Sequence, residues 1–290
     1  MKKRNWLLLL LIALCLAAFF GYREYDQLRT DTRAPKIYLD EQPLEVSVAD
    51  DRSALLTGVT ASDNVDGDVT DSLVVESVNL LSSDGSISVG YAAFDSAGNV
   101  AKATREGRYV DYESPRFTLS APLIYTLDRS FDVLGTVGAV DVIDGDIQHR
   151  VRATVKDGKA VTTLGSHRVQ FQVTNSLGDT VSAIFPVEVL SPGIYNASLE
   201  LTDYLVYLPR GSSFNAEDYL SSFTWLGEEY SLEGGLPEDY ALRTRGTVRT
   251  GYPGVYAIEY RVTYTDRDEK NPDFDRKYTG YSKLIVVVEG

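Results

Sequence analysis

The chain has 290 residues, with 28 Lys+Arg against 42 Asp+Glu and a formal charge of −14. That length suits two or three domains, and so negative a balance argues against a nucleic-acid partner, which needs a basic face. With 43% apolar and 11% aromatic residues the chain is not disordered. One cysteine excludes an internal disulfide and a cysteine zinc cluster, and two histidines (His149, His167) leave little for a histidine metal site or histidine catalysis.

At the N-terminus, Lys2, Lys3 and Arg4 precede an uncharged run from Trp6 to Tyr22, 17 residues in all. As a helix such a run rises about 25 Å, at the short end of the spanning range. The basic cluster is expected to stay in the cytoplasm. Cleavage is disfavoured because the nearest A-x-A-like string, Cys15-Leu16-Ala17, is mediocre, and a lipoprotein cysteine at Cys15 would follow Leu14 where a small residue is needed. The expectation is therefore a cytoplasmic tip over residues 1–5, a transmembrane anchor over 6–22 and a polar stalk over 23–33. The protein would then be a single-pass protein of the cell membrane with its C-terminal region outside. No cysteine follows the anchor, as suits an exported chain stabilised by core burial.

The rest of the chain repeats itself. Ala34-Pro35-Lys36-Ile37-Tyr38-Leu39 recurs as Ser114-Pro115-Arg116-Phe117-Thr118-Leu119, 80 positions on (114 − 34). Asp63 to Val69 (D-N-V-D-G-D-V) recurs as Asp141 to Ile147 (D-V-I-D-G-D-I), 78 positions on (141 − 63). Tyr91 to Asn99 (Y-A-A-F-D-S-A-G-N) recurs as Phe171 to Asp179 (F-Q-V-T-N-S-L-G-D), again 80 on. Three matches in one order at nearly constant offset indicate tandem duplication. A diverged third copy follows Pro192. Its Gly254–Val262 run alternates apolar and polar residues like Gly165–Val173, but it lacks the D-x-x-D-G-D string. The modules read as 34–112, 113–191 and 192–290, each the size of a small sandwich.

Short runs rich in Val, Thr, Tyr and Phe alternate with Asp-Gly, Ser-Pro and Gly-Asn punctuation, and beyond the N-terminal segment no apolar stripe of helical period persists. The predicted class is all-β, tandem sandwiches after one N-terminal helix. The strings G-V-T-A-S-D-N-V-D-G-D-V-T (Gly58 to Thr70) and G-Y-A-A-F-D-S-A-G-N-V-A (Gly90 to Ala101) closely resemble the bacterial immunoglobulin-like repeat of the pesticidal-crystal-protein type. The first module matches along nearly its whole length. The second has Val142-Ile143 in place of the Asn-Val pair, and the third matches only at Gly211–Phe214 and the Gly254 strand. The resemblance implies an Ig-like sandwich displayed outside Gram-positive-type bacteria in a spacer or adhesive role, and no enzymatic activity.

Two groups of residues are candidates for binding. Asp63, Asp66 and Asp68 set three carboxylates on six residues, with Asp95 of the D-S-A-G-N turn able to join them if both loops lie at one end of the sandwich. The second copy offers Asp141, Asp144 and Asp146, with Asn175 at the position of Asp95. Calcium, which takes six to eight oxygens, is one reading. The other is turn chemistry, in which Asp side chains bond their own backbone and no ion is needed. No other cofactor is indicated.

Twelve of the 19 tyrosines fall between Tyr195 and Tyr281. Tyr256, Tyr260 and Tyr264 share one strand face with Ile258 and Val262, a core pattern. Tyr204 and Tyr207 differ by three and cannot share a face, nor can Tyr278 and Tyr281, so these four are the candidate partner-binding residues. A charged insertion, Asp266 to Lys277, replaces the tight turn of module 1. No nucleophile elbow, phosphate loop or H-E-x-x-H string is present. The expected function is a non-catalytic, membrane-anchored surface protein in which two spacer modules present a third that binds cell-wall polysaccharide or an exported protein. The alternative is a purely structural spacer, stiffened by calcium.

Overall fold

Apolar residues on alternate positions of each strand dictate which side faces inward. In a computed structural model, which describes residues 2–29, 31–127, 132–156, 161–267 and 275–290, this alternation builds three two-sheet β-sandwiches of one topology. In the first, strands Lys36–Leu39, Val59–Asp63 and Gly67–Asp68 form a three-stranded sheet. It faces a four-stranded sheet ordered Leu44–Val46, Val100–Tyr109, Ser86–Phe94 and Val74–Leu80. The second module repeats this with Arg116–Leu119, Val137–Asp141 and Gly145–Asp146 against Ile124–Thr126, Thr180–Leu190, Gly165–Thr174 and Arg152–Val155. The third repeats it with Ser198–Leu201, Leu220–Trp225 and Glu228–Ser231 against Leu205–Leu208, Arg276–Val288, Gly254–Asp266 and Tyr240–Arg245. In every module the short second strand pairs parallel to the last one while the other pairs are antiparallel. A three-plus-four sandwich of about 80–100 residues is the immunoglobulin-like arrangement.

The chain divides into two compact units, Met1–Tyr112 and Glu113–Gly290. The N-terminal helix, α1, spans Lys2–Arg29 and so includes most of the segment expected to be a stalk. The membrane anchor expected over 6–22 is overturned, and with it the single-pass location and the membrane as partner: no helix among the described residues is long and apolar enough to cross a membrane. The reason is length. An uncharged run of 17 residues reaches about 25 Å, short of a hydrocarbon core of about 30 Å, and charged residues bound it on both sides.

Each core centres on one aromatic ring at equivalent positions. Tyr91, Phe171 and Tyr260 are all 0% exposed. Tyr91 donates its hydroxyl to the Leu55 carbonyl at 2.8 Å. Phe171 has no hydroxyl and packs with Phe117 and Phe185, ring centroids 6.4 and 5.6 Å away. The Tyr260 hydroxyl is buried without a hydrogen-bond partner among the described residues, and burial pushes its pKa up. An unpartnered buried hydroxyl costs free energy. Tyr260→Phe is therefore expected to stabilise the protein by about 1 kcal/mol, and Tyr91→Phe to destabilise it by a similar amount. Calorimetry on both variants checks this, and a lowered melting temperature for Tyr260→Phe would reveal a partner for the hydroxyl.

Within the Glu113–Gly290 unit the second and third modules pack directly. Ile285, on the last strand of module 3, is 1% exposed and belongs to the apolar cluster of module 2, where Leu205 and Val287 also pack. Lys283 Nζ, its side chain 2% exposed, reaches Glu188 Oε2 at 3.0 Å. At the rim, Arg116 pairs with Glu289 at 2.7 Å.

Candidate functional site

The repeated acidic string is a miniature hairpin. Asp63 pairs with Gly67 and Ser62 with Asp68 across it, and Gly67 takes φ 77°, as Gly145 takes φ 70° in the second copy. This left-handed backbone suits glycine. The first aspartate of each string organises the loop. Asp63 Oδ1 accepts the backbone N–H of Val65 (2.7 Å) and of Asp66 (3.0 Å). Asp141 Oδ1 accepts those of Ile143 and Asp144, both at 2.9 Å. These bonds, Val65's first, hold the Asp63 carboxyl below the ordinary aspartate value of 3.8.

The second and third aspartates have partners of their own. Both oxygens of Asp66 accept from Ser96, the backbone N–H at 2.7 Å and the hydroxyl at 2.8 Å. Asp68 accepts the Thr70 N–H at 3.0 Å. Its carboxyl lies below the ordinary range, first through the Thr70 side chain and then its backbone. In module 2, Asp144 accepts from Ser176 N–H and Arg150, both at 2.6 Å, and Asp146 from Gln148 N–H at 2.9 Å. Burial raises the Asp144 carboxyl, but the Ser176 bonds and the Arg150 charge outweigh it and the net shift is downward.

The Asp66–Ser96 bonds hold the D-S-A-G-N turn at the same end of the sandwich as the acidic string, and so Asp95 meets Asp63. A residue that sequence reasoning missed completes the group. One carboxylate oxygen from each of Asp31, Asp63 and Asp95 lies within 4.8 Å of the others. Asp63 and Asp95 are each 9% exposed. Asp95 accepts the Asn99 N–H and amide, both at 2.7 Å, and the same amide donates to the Asp31 carbonyl at 3.0 Å. Asp31 lies beyond the end of α1, in the segment read from sequence as stalk. One signal could have found it: Asp31 and Asp111 are 80 positions apart (111 − 31), the repeat offset. Asp111 itself accepts from Ser47 Oγ at 2.6 Å and Val48 N–H at 2.8 Å.

Module 2 solves the same geometry differently. Asn175 stands where module 1 has Asp95, and its Nδ2 donates to Asp141 Oδ2 at 3.0 Å.

The four candidate tyrosines of module 3 do not form one surface. Tyr278 is 8% exposed, its ring 4.5 Å from that of Trp225, and so packs in the core. Tyr204 is half-buried and donates to Glu200; burial first, then Glu200, pushes its pKa up. Tyr207 lies at the contact with module 2, where its hydroxyl oxygen accepts the Phe117 N–H at 2.9 Å and the Arg116 guanidinium sits 5.2 Å from its ring. Tyr207 also borders a hollow of 660 Å³ between the two modules, and Tyr281 lines a separate one of 290 Å³. Tyr281 stacks on Tyr195 (5.0 Å, 7° between planes) beside Arg261, whose guanidinium lies 5.7 Å from the Tyr195 ring and donates to its hydroxyl at 3.2 Å. Of the charged insertion, residues 268–274 lie outside those the structure describes; at its edge Arg267 lies 3.7 Å from Asp239.

Arg243, Arg261 and Tyr281 are direct cross-strand neighbours on three adjacent strands. With Arg245, Thr244 and Glu259 they line the hollow of 290 Å³. Arg243 and Arg261 are exposed, and like charges directly opposite each other on a sheet are unfavourable. None of the three arginines makes an ion pair among the described residues.

No protein-family model matches the chain. A stretch of 93 residues is 37% identical to an uncharacterized 81.3 kDa protein of Acholeplasma phage L2, covering 32% of this chain and 12% of that protein. Among solved structures the chain is similar to the CBM51-2 and INT domains of Clostridium perfringens ZmpB, determined in complex with GlcNAc. The identity is 13% over 88% of this chain and 41% of that one, with a TM-score of 0.22. It is also similar to the protocadherin γB4 extracellular domain (12%, 88% of this chain, 50% of that one, TM-score 0.20) and to mouse cadherin-23 EC22–24 (13%, 88%, 99%, TM-score 0.20). At such scores these likenesses carry no argument about a site or a partner.

Proposed function

We propose that the chain is a non-catalytic, extracellular immunoglobulin-like repeat protein of a bacterial surface, with modules of the pesticidal-crystal-protein type. Its first two modules act as spacers and its third binds an anionic partner, an acidic polysaccharide. The supporting observation is the open row Arg243–Arg261–Tyr281, backed by the Tyr195 stack, on a chain of net charge −14. Stacked tyrosines offer rigid apolar area to a sugar ring, and guanidinium groups take carboxylate or phosphate in bidentate fashion. An anion between Arg243 and Arg261 would remove their mutual repulsion. The second reading, a passive spacer, is favoured by the shared apolar packing of modules 2 and 3.

The two separate on a column. Full-length protein should be retained by an immobilised uronic-acid polysaccharide and not by neutral dextran, at about 0.15 M salt, where surface charges are already screened over about 8 Å. Arg261→Ala should lower the affinity at least about tenfold, which corresponds to 1.4 kcal/mol. Equal elution from both columns, or an Arg261→Ala variant retained like the parent, would leave the spacer reading standing.

A further inference from the structure

We infer that Asp31, Asp63 and Asp95 form a calcium site that clips the segment following α1 onto the loop end of module 1. This is independent of the arginine–tyrosine face. Three carboxylates converge with their nearest oxygens within 4.8 Å of one another. Oxygens on one calcium ion, each 2.3–2.6 Å from it, lie up to about 5 Å apart, so the spacing suits one shared ion with water completing the shell.

Crowded acids alone would not point to a ligand. The decisive observation is which oxygens are left over. Asp63 is 91% buried (100 − 9) and its Oδ1 is engaged by two backbone N–H groups. Its Oδ2 is buried with no hydrogen-bond partner among the described residues, and so is Asp31 Oδ2. A buried carboxylate oxygen without a donor or cation is among the costliest arrangements in a protein. Asp31 Oδ1, by contrast, accepts the Arg33 N–H at 3.0 Å, so that Asp31, like Asp63, has one oxygen held by backbone and one left over.

The internal repeat supplies a control. Where module 2 lacks the Asp95 carboxylate, the Asn175 amide occupies its place and donates to Asp141 Oδ2 at 3.0 Å. Module 2 thus fills with an N–H donor the position that module 1 leaves for a positive charge. Asp66 and Asp68 lie outside the converging group, and both oxygens of Asp66 are taken up by Ser96.

The test uses full-length protein freed of metal with EDTA and titrated with calcium chloride in a calorimeter, with hydrogen exchange followed at residues 31–35. One equivalent should bind with a Kd of about 10⁻⁴–10⁻³ M, the range of extracellular calcium modules, and exchange at the Arg33 amide should slow. Asp31→Asn should weaken binding at least about tenfold, or 1.4 kcal/mol, and abolish the slowing. Asp68→Asn should bind as the parent does. Asp95→Asn, which copies the amide of module 2, should abolish binding while raising the melting temperature of the calcium-free protein, a gain that misfolding could not mimic. No binding up to about 10 mM calcium, well above the expected range, would overturn the site. Parent-like binding by Asp31→Asn would overturn the clip.

Discussion

Glu188→Ala is expected to destabilise the Glu113–Gly290 unit by about 3–5 kcal/mol, the cost of leaving one member of a buried ion pair uncompensated. Lys283 is 2% exposed and its ammonium has Glu188 as ion-pair partner, at 3.0 Å and 16% exposed. Around it lie Ile285 and Val287, packed into the core of module 2, so water has little access to a stranded charge. Replacing both partners with apolar residues of similar size, Lys283→Met with Glu188→Leu, should cost under about 1 kcal/mol, because the desolvation term disappears along with the attraction. The rim pair provides the contrast. Arg116 and Glu289 are 43% and 36% exposed, and Glu289→Ala should cost no more than about 1 kcal/mol. Urea unfolding followed by tryptophan emission reports on this unit through Trp225, which lies in the module 3 core region. A Glu188→Ala loss below about 1 kcal/mol would mean the pair is hydrated, and modules 2 and 3 would then be held by apolar contact alone.

The repeat was legible because duplication preserved spacing. Asp63 and Asp141 fall at the same place in their hairpins, and Tyr91 and Phe171 at the same place in their cores. The meeting of Asp95 with Asp63 was legible only as a condition, since it depends on which end of a sandwich each loop occupies. Asp31 was not legible as a ligand. It lies 32 positions before Asp63 (63 − 31), outside every strand, and its role depends on how the chain enters the sandwich. The tyrosines failed for another reason. Parity along a strand tells which residues share a face, but not which face is covered. On Arg276–Val288 both faces are buried from Ser282 to Val286: Ser282, Leu284 and Val286 face their own core, while Lys283 and Ile285 face module 2. Tyr278 therefore vanishes into the core, and Tyr281, one residue before the doubly covered stretch, keeps its access. The N-terminal helix shows the limit of composition. Its apolar run was visible, and a few residues of length decide against a membrane span.

Asn175→Asp is the second substitution with a large expected effect, because it restores in module 2 the carboxylate pair of module 1. Asp141 and Asn175 are 7% and 5% exposed, and the amide bond between them, at 3.0 Å, is a hydrogen bond to a charged group, worth about 1.5–3 kcal/mol. The substitution removes that donor and sets a second negative charge against the first. Protonation caps the penalty: neutralising one aspartate at pH 7 requires raising its pKa by about three units, or about 4 kcal/mol. A loss of about 3–4 kcal/mol at neutral pH follows. Its pH dependence separates charge repulsion from simple misfit. The folded-state pKa of the new pair is raised above the unfolded value of about 3.9, so the folded state holds a proton the unfolded state has lost, and stability falls as pH rises from about 4 towards neutrality. The deficit relative to the parent should therefore shrink as pH is lowered towards 4, whereas a packing defect would persist across the range. Chemical unfolding at pH 4.5 and 7.5 distinguishes them, and a variant as stable as the parent at both would show that the amide of Asn175 is not what satisfies Asp141.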